Sequence, residues 1–221
     1  MASLKEIAGC IGLPDSFSVL RGFYGYITGA PKPLSLLEQI RLVQGKHIHL
    51  NLIRVGIESF TASDEAEIDI AVQATRDRYA TVNLGVGRVL RFFITTDEAD
   101  GRDNIGSDSE ASDLTAEWTV DNDALDVFFV LTYLGDTIGR SAVNGACIKD
   151  TKAMSGSVVA IESSPRITGL VIAHEVGHYL GLEHREGHPE NLMFPRVPNR
   201  GLLTSGQGST MRRHCFVKRG C

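Results

Sequence analysis

No apolar run in this sequence approaches the roughly 18 residues that a membrane span requires. The opening Met1-Ala2-Ser3-Leu4-Lys5-Glu6 lacks the basic start and long apolar stretch of a signal peptide. Either an export signal has been removed, or the protein is not exported by that route. No internal repeat or low-complexity tract is visible, which excludes solenoids and biased linkers. Positive charge is not in excess. The 22 Lys and Arg against 27 Asp and Glu give a net charge of −5, which argues against nucleic acid as the partner. On this reading Arg212-Arg213-His214 with Lys218-Arg219 is a solvated helix end. Cysteine is sparse. Cys10, Cys147, Cys215 and Cys221 allow three complete pairings, and Cys215 with Cys221 could close a small C-terminal loop. An even count suits an oxidising compartment and favours two disulfides over free thiols.

What is present is ordinary for a globular chain: 221 residues, 43% hydrophobic and 22% charged, enough to bury a full core. Residues 1–45 are punctuated by Gly and Pro and read as an extension or pro-segment before a domain spanning 46–221, although Leu34 to Val43 could be helical. His47 to Leu52 alternates polar and apolar residues, the pattern of a half-buried strand with His47 and His49 on one side. Those two are expected as solvated or hydrogen-bonded histidines, not as ligands. Asp64 to Ala80 has an acidic start and helical spacing. Arg88 to Thr95, Leu125 to Leu131, Gly145 to Ile148 and Ser157 to Ile161 read as strands. The acidic stretch Asp97 to Asp113 lacks the Gly of an EF-hand loop. It reads as a solvated loop, with a calcium site through Asp100, Asp103 and Asp108 as the alternative. Ser163-Ser164-Pro165 supplies a helix start, and Thr204 to His214 a last helix.

That penultimate helix carries the chemistry. His174 and His178 are four residues apart, one turn above the other on one face. Two imidazoles so placed can reach one metal ion, and Glu175 can reach a water on it as general base. Gly181 suits a sharp exit from the helix, after which His184 can return as a third nitrogen ligand. Three protein ligands and one open position describe a catalytic zinc. His188, followed by Pro189, is expected exposed; a fourth histidine would block the open position.

The run His174-Glu175-Val176-Gly177-His178-Tyr179-Leu180-Gly181-Leu182-Glu183-His184 reads H-E-x-x-H-x-x-G-x-x-H, and Met193 follows nine residues later within Asn191-Leu192-Met193-Phe194-Pro195. The chain resembles the metzincin zinc metalloproteases. Within them the short Met-turn wording is similar to the matrixins, as are Leu203-Thr204, Gln207, Met211 and Arg212 at the start of the last helix. The likeness is specific over 171–195 and extends over 46–214. It implies an α+β fold: a twisted mixed five-stranded sheet with a long helix, an active-site helix and a C-terminal helix. It also implies a zinc endopeptidase with His174, His178 and His184 as ligands, Glu175 as base, and Met193 and Gly181 as support. Substrate would be a protein or peptide lying along an edge formed by Ser141, Ala142, Val143, Asn144 and Gly145, with Phe194, Pro195 and Arg196 walling a side-chain pocket.

Departures bear on the branch. Arg185 stands where matrixins usually carry Ser or Thr, and no histidine-rich segment for a second zinc is evident, so one zinc is expected. Cys10-Ile11-Gly12-Leu13-Pro14-Asp15 resembles the pro-segment cysteine switch but has one residue too many before Pro14 and lacks the preceding Arg, so a disulfide or buried thiol is expected for Cys10. A monomer secreted or exported from the cell is the expectation. The rival classes are a silent metzincin domain that binds without cutting, and a zinc hydrolase of a non-peptide substrate.

Overall fold

The apolar runs of the sequence become the middle of one mixed sheet, and the helices divide between its two faces. The computed structural model describes residues 35–149, 154–161, 164–198 and 200–220. Cys10, Cys221 and the cysteine-switch-like stretch lie outside the described residues.

Helix α1 (Leu36–Gln44) opens on a capping box, with Ser35 and Glu38 each bonding the other's backbone N–H. It falls within the stretch read as an extension, yet it packs on strand β1 (Lys46–Val55) and strand β2 (Gly85–Ile94). Between those strands, after a 3-10 turn (Ile57–Ser59), runs the long helix α2 (Ala62–Ala80), also capped by a box, from Thr61 and Asp64. β1 pairs in parallel with β2 on one side and with β4 (Leu125–Val130) on the other. Parallel pairing on both sides needs helices over both faces, so β1 is buried on both. The half-buried strand expected from its alternation is therefore corrected: His47, His49 and Asn51 are buried along with Ile48, Leu50 and Leu52.

The acidic stretch 97–113 is not one solvated loop. It holds the short helix α3 (Thr96–Ala99), the two-residue strand β3 (Asn104–Ile105) and the start of helix α4 (Asp108–Glu117), each helix started by a hydroxyl cap. β3 pairs with β5 (Thr132–Tyr133) as a separate ribbon. Asp108 accepts from Tyr133 and pairs with Arg140, and the three-histidine cluster is the group among the described residues fitted to hold a metal ion, so nothing supports the calcium alternative.

Strand β6 (Gly139–Ser141) closes the sheet edge, antiparallel to β7 (Ser157–Ala160), which lies parallel to β4. The expected strand Gly145–Ile148 is absent; that segment turns away to the end of the next helix. Helix α5 (Pro165–Tyr179) has Pro165 at its first turn as expected, and helix α6 (Ser205–Met211) is shorter than the expected Thr204 to His214. Strand β8 (Lys218–Arg219) adds to the start of β1, so the sheet has six strands in place of the expected five, in the order β2-β1-β4-β7-β6 with β8 beside β1. α2 and α5 pack together on one face of the sheet around Leu50, Val127, Leu170, Ile172 and Val176; α4 covers the other around Ile53, Phe128, Val130 and Val158. Each such side chain fully buried contributes about 1.5–3 kcal/mol. The mixed sheet with its long, motif-bearing and C-terminal helices is the metzincin-like arrangement. No helix among the described residues is long and apolar enough to cross a membrane.

Candidate metal centre

α5 is buried along nearly its whole length, from Thr168 to Tyr179, with His174 the partly open position. It is anchored from below: the Tyr79 hydroxyl on α2 donates to the Ala173 carbonyl at 2.7 Å. The helix ends in a Schellman-type turn, Leu182 N donating to Gly177 O at 3.0 Å and Gly181 N to His178 O at 2.8 Å. Gly181 has φ +96°, a left-handed conformation that a Cβ would strain. This reversal brings His184 back to the helix face from which it came.

The three imidazoles meet. One nitrogen from each of His174, His178 and His184 lies within 4.8 Å of the others. The Nε2 atoms of His174 and His184 are 3.3 Å apart. Two nitrogens held about 2.0–2.1 Å from a tetrahedral zinc would stand about 3.3–3.4 Å apart, so this spacing fits the ion. The tautomers fit it too. His174 Nδ1 donates to the Leu192 carbonyl at 2.8 Å and His178 Nδ1 to the Leu182 carbonyl at 2.6 Å. Each bond leaves the Nε2 lone pair bare, as a metal ligand requires. Burial lowers the pKa of His174 to about 4 against the pull of the Leu192 bond, and lowers that of His178 likewise, so both rings are neutral at neutral pH.

Glu175 lies beside them, 7% exposed. Burial raises its pKa to about 8, opposed by the nearby Arg140. A cation at the three nitrogens would draw it back towards the carboxylate form. Met193 is fully buried with its sulfur against Gly177, beneath the ligand helix. A cleft of about 500 Å³ opens alongside, between β6, α5 and the segment 194–198.

The structure brings together His174, Glu175, His178 and His184, and sets Phe194, Pro195 and Arg196 on the cleft wall. His188 is outside the cluster, paired with Glu190 at 3.4 Å. The edge segment is corrected. Ser141 ends β6, but Asn144 and Gly145 are drawn to the end of α5, donating to the carbonyls of His178 and Tyr179 at 2.9 and 2.8 Å. The residues that do line the cleft from the sheet side are Ile138, Gly139 and Arg140, which the sequence reading passed over. A three-residue strand carries no periodicity by which to find it.

The structure selects among the pairings that the four cysteines left open. Cys147 and Cys215 form a disulfide, so Cys215 does not close a loop with Cys221.

No curated protein matches this chain. Among solved structures it is similar to metalloproteinase-II from Bacteroides fragilis, at 14% identity and a TM-score of 0.51, over 76% of this chain and 53% of that one. The chain thus spans about half the length of that protein, and the likeness is one of fold. The family described as Metallo-peptidase family M12B Reprolysin-like matches residues 65–185, more than half of the 221 and the run from the first turn of α2 to just past the third histidine, and the chain belongs to that family.

Proposed function

We propose that this chain is a zinc-dependent endopeptidase, with His174, His178 and His184 holding the ion and Glu175 serving as general base. The observation that carries the reading is the convergence of three imidazole nitrogens within 4.8 Å of one another, with a buried carboxyl on the residue after His174. Zinc bound there would acidify a water and polarise the scissile carbonyl. Glu175 would accept the water's proton on its carboxylate and return it to the leaving nitrogen. Met193 and Gly181 act as supports, one beneath the ligand helix and one at its exit.

The substrate would lie extended along the open edge of β6, its main chain adding to the sheet by hydrogen bonds from Gly139–Ser141. A side chain beyond the cut bond would enter the cleft between Leu170, Val171 and the wall Phe194–Pro198. The family match is reprolysin-like, so the matrixin wording of Asn191 to Pro195 is a local likeness in the Met-turn, and the assignment is made at the metzincin level. The Cys147–Cys215 disulfide supports an oxidising compartment, hence export from the cell.

The test is digestion of a denatured protein and a peptide library with and without chelator. Cleavage should vanish with chelator and return with zinc. Glu175→Gln should keep the zinc and lose activity by about 10²-fold or more. Zinc binding without any cleavage would turn the reading towards a silent binding domain.

A further inference from the structure

Strand β6 crosses α5 at one point, and there it has no side chain. A Cβ at Gly139 would lie 2.8 Å from both Cγ and Oε1 of Glu175, and 2.7 Å from Cγ1 of Val171. Real Cβ atoms do not approach so closely, so something would have to move. Gly139 is not among the residues with positive φ, so its backbone could carry any side chain. Space alone demands the glycine.

Both partners of the crossing are held by hydrogen bonds. β6 is registered on β7 through Gly139 opposite Val159 and Arg140 opposite Val158, and Ala160 N donates to Ile138 O at 3.0 Å just before it. α5 is pinned by the 2.7 Å bond from Tyr79 to Ala173, two residues before Glu175. The softest atoms at the crossing are those of the Glu175 side chain, with the Val171 methyl second.

We infer that Gly139 is a positioning residue for Glu175: the missing side chain lets the sheet edge lie directly on the helix, and the close fit holds the carboxyl in one place beside the histidine cluster. The inference rests on the reading of Glu175 as the base. A methyl at position 139 would displace the carboxyl while leaving the histidines, none of which supplies an atom nearest the new Cβ, free to bind their ion.

The experiment pairs kinetics with stability. On a fluorogenic peptide that the wild type cleaves, Gly139→Ala should lower kcat by about 30–100-fold, with KM changed by less than about threefold. Zinc content by metal analysis should stay that of the wild type. Unchanged kcat would overturn the inference, and so would a fall in kcat matched by an equal loss of zinc. The second arm needs no activity. Gly139→Ala should lower Tm less in a Glu175→Ala background than in the wild type, because the crowded Cγ and Oε1 are gone and the Val171 methyl alone still meets the new Cβ; equal drops would overturn the inference. If Gly139→Ala alone does not fold, the same comparison is made with Val171→Ala added throughout, which opens the other side of the crossing. Should the wild type show no chelator-sensitive cleavage, the proposed function falls, and the Tm comparison still decides whether Gly139 sets the place of Glu175.

Discussion

The Leu192 carbonyl accepts the Nδ1 proton of His174 at 2.8 Å, so the tautomer of this α5 histidine is set by the turn beneath it. That turn is itself tied down. Leu192 N donates to Leu202 O at 2.7 Å, and Asn191 Oδ1 accepts from Met193 N at 3.0 Å and from Gln207 Nε2 at 2.9 Å. Asn191 Nδ2 returns a bond to Gln207 Oε1 at 3.0 Å. A chain of hydrogen bonds therefore ties α6 through Asn191 to Met193, one residue past the carbonyl that accepts from His174.

Asn191→Ala should break that chain. Asn191 is 3% exposed, and its loss leaves the Met193 N–H without its acceptor. A destabilisation of about 1–3 kcal/mol is expected from the orphaned polar groups. Zinc affinity should fall about 10–100-fold, the range for removing a group that orients a ligand. Competition against a chromophoric chelator measures it. A folded Asn191→Ala protein with wild-type affinity would show that His174 is oriented by its own helix.

Zinc should also bind the folded chain far better than the unfolded one, since the third ligand is brought in only by the turn at Gly181. At a zinc concentration 100 times Kd, the stabilisation is about 2.7 kcal/mol. His184 is exposed and outside the helix, so His184→Ala should leave the metal-free protein within about 0.5 kcal/mol of wild type. Its zinc-induced rise in Tm should largely disappear. A melting series across added zinc and chelator checks both, and a full rise in His184→Ala would remove that residue from the ligand set.

The three-histidine cluster was legible because it is local. Helical spacing puts His174 under His178, and Gly181 marks the reversal that returns His184; no contact distant in sequence is needed. The long helix α2 was legible for the same reason, its acidic start and Thr61 cap standing beside each other in the chain. What the sequence hid is set by partners far away. The alternation of His47 to Leu52 does describe two faces, but β2 and β4 on either side and helices over both bury them equally. Cys147 and Cys215 are 68 residues apart, and only the fold selects that pairing from the three possible. α3 and β3 within the acidic stretch are four and two residues long, below the length at which a period can be read. Gly139 went unnoticed because its meaning is an absence of bulk against Glu175, a residue 36 positions on.

The two histidines of β1 predict an acid transition. His49 Nδ1 accepts from Arg88 N at 3.0 Å, so its ring is held neutral in this arrangement. Burial first, then the neighbouring His47 and Arg88, lower its pKa to about 4; Asp123 opposes and Lys218 adds to the lowering. Burial lowers His47 as well, against the Gly45 carbonyl and Asp123, with Lys218 again adding to the lowering. The folded pKa lies below the unfolded value of about 6.5, so the unfolded chain binds more protons between the two. The stabilisation is therefore complete above pH 6.5 and is lost as pH falls towards 4. His49→Asn offers an oxygen to Arg88 N but cannot protonate, and should flatten this part of the profile. Urea unfolding at pH 7.5 and 4.5 in chelator, wild type against His49→Asn, gives the comparison. Parallel pH profiles would place the acid transition elsewhere.

The disulfide closes a ring around the exit of α5. Cys147 follows the segment whose Asn144 and Gly145 bond the carbonyls of His178 and Tyr179; Cys215 follows His214, whose Nε2 donates to the Gly145 carbonyl at 3.0 Å. The bridge thus joins the two segments that hold the helix end from which the chain turns to His184. Closing a loop of 68 residues constrains the unfolded chain by about 4 kcal/mol in the entropic account, and measured losses for native bridges run at about 2–5 kcal/mol. The double variant Cys147→Ser, Cys215→Ser should fold with Tm lowered by about 5–15 °C for a chain of this size. Both cysteines are exposed, so a reductant should reach the bridge in the folded wild type and produce the same drop. His174, His178 and His184 lie inside that loop, but His174 and His178 are oriented by the Leu192 and Leu182 carbonyls and not by the bridge, so the zinc-induced rise in Tm should survive in the double variant. A rise abolished together with the bridge would mean that the ring shapes the metal centre itself, and a Tm unmoved by either treatment would mean that the hydrogen bonds at Gly145 hold the helix end unaided.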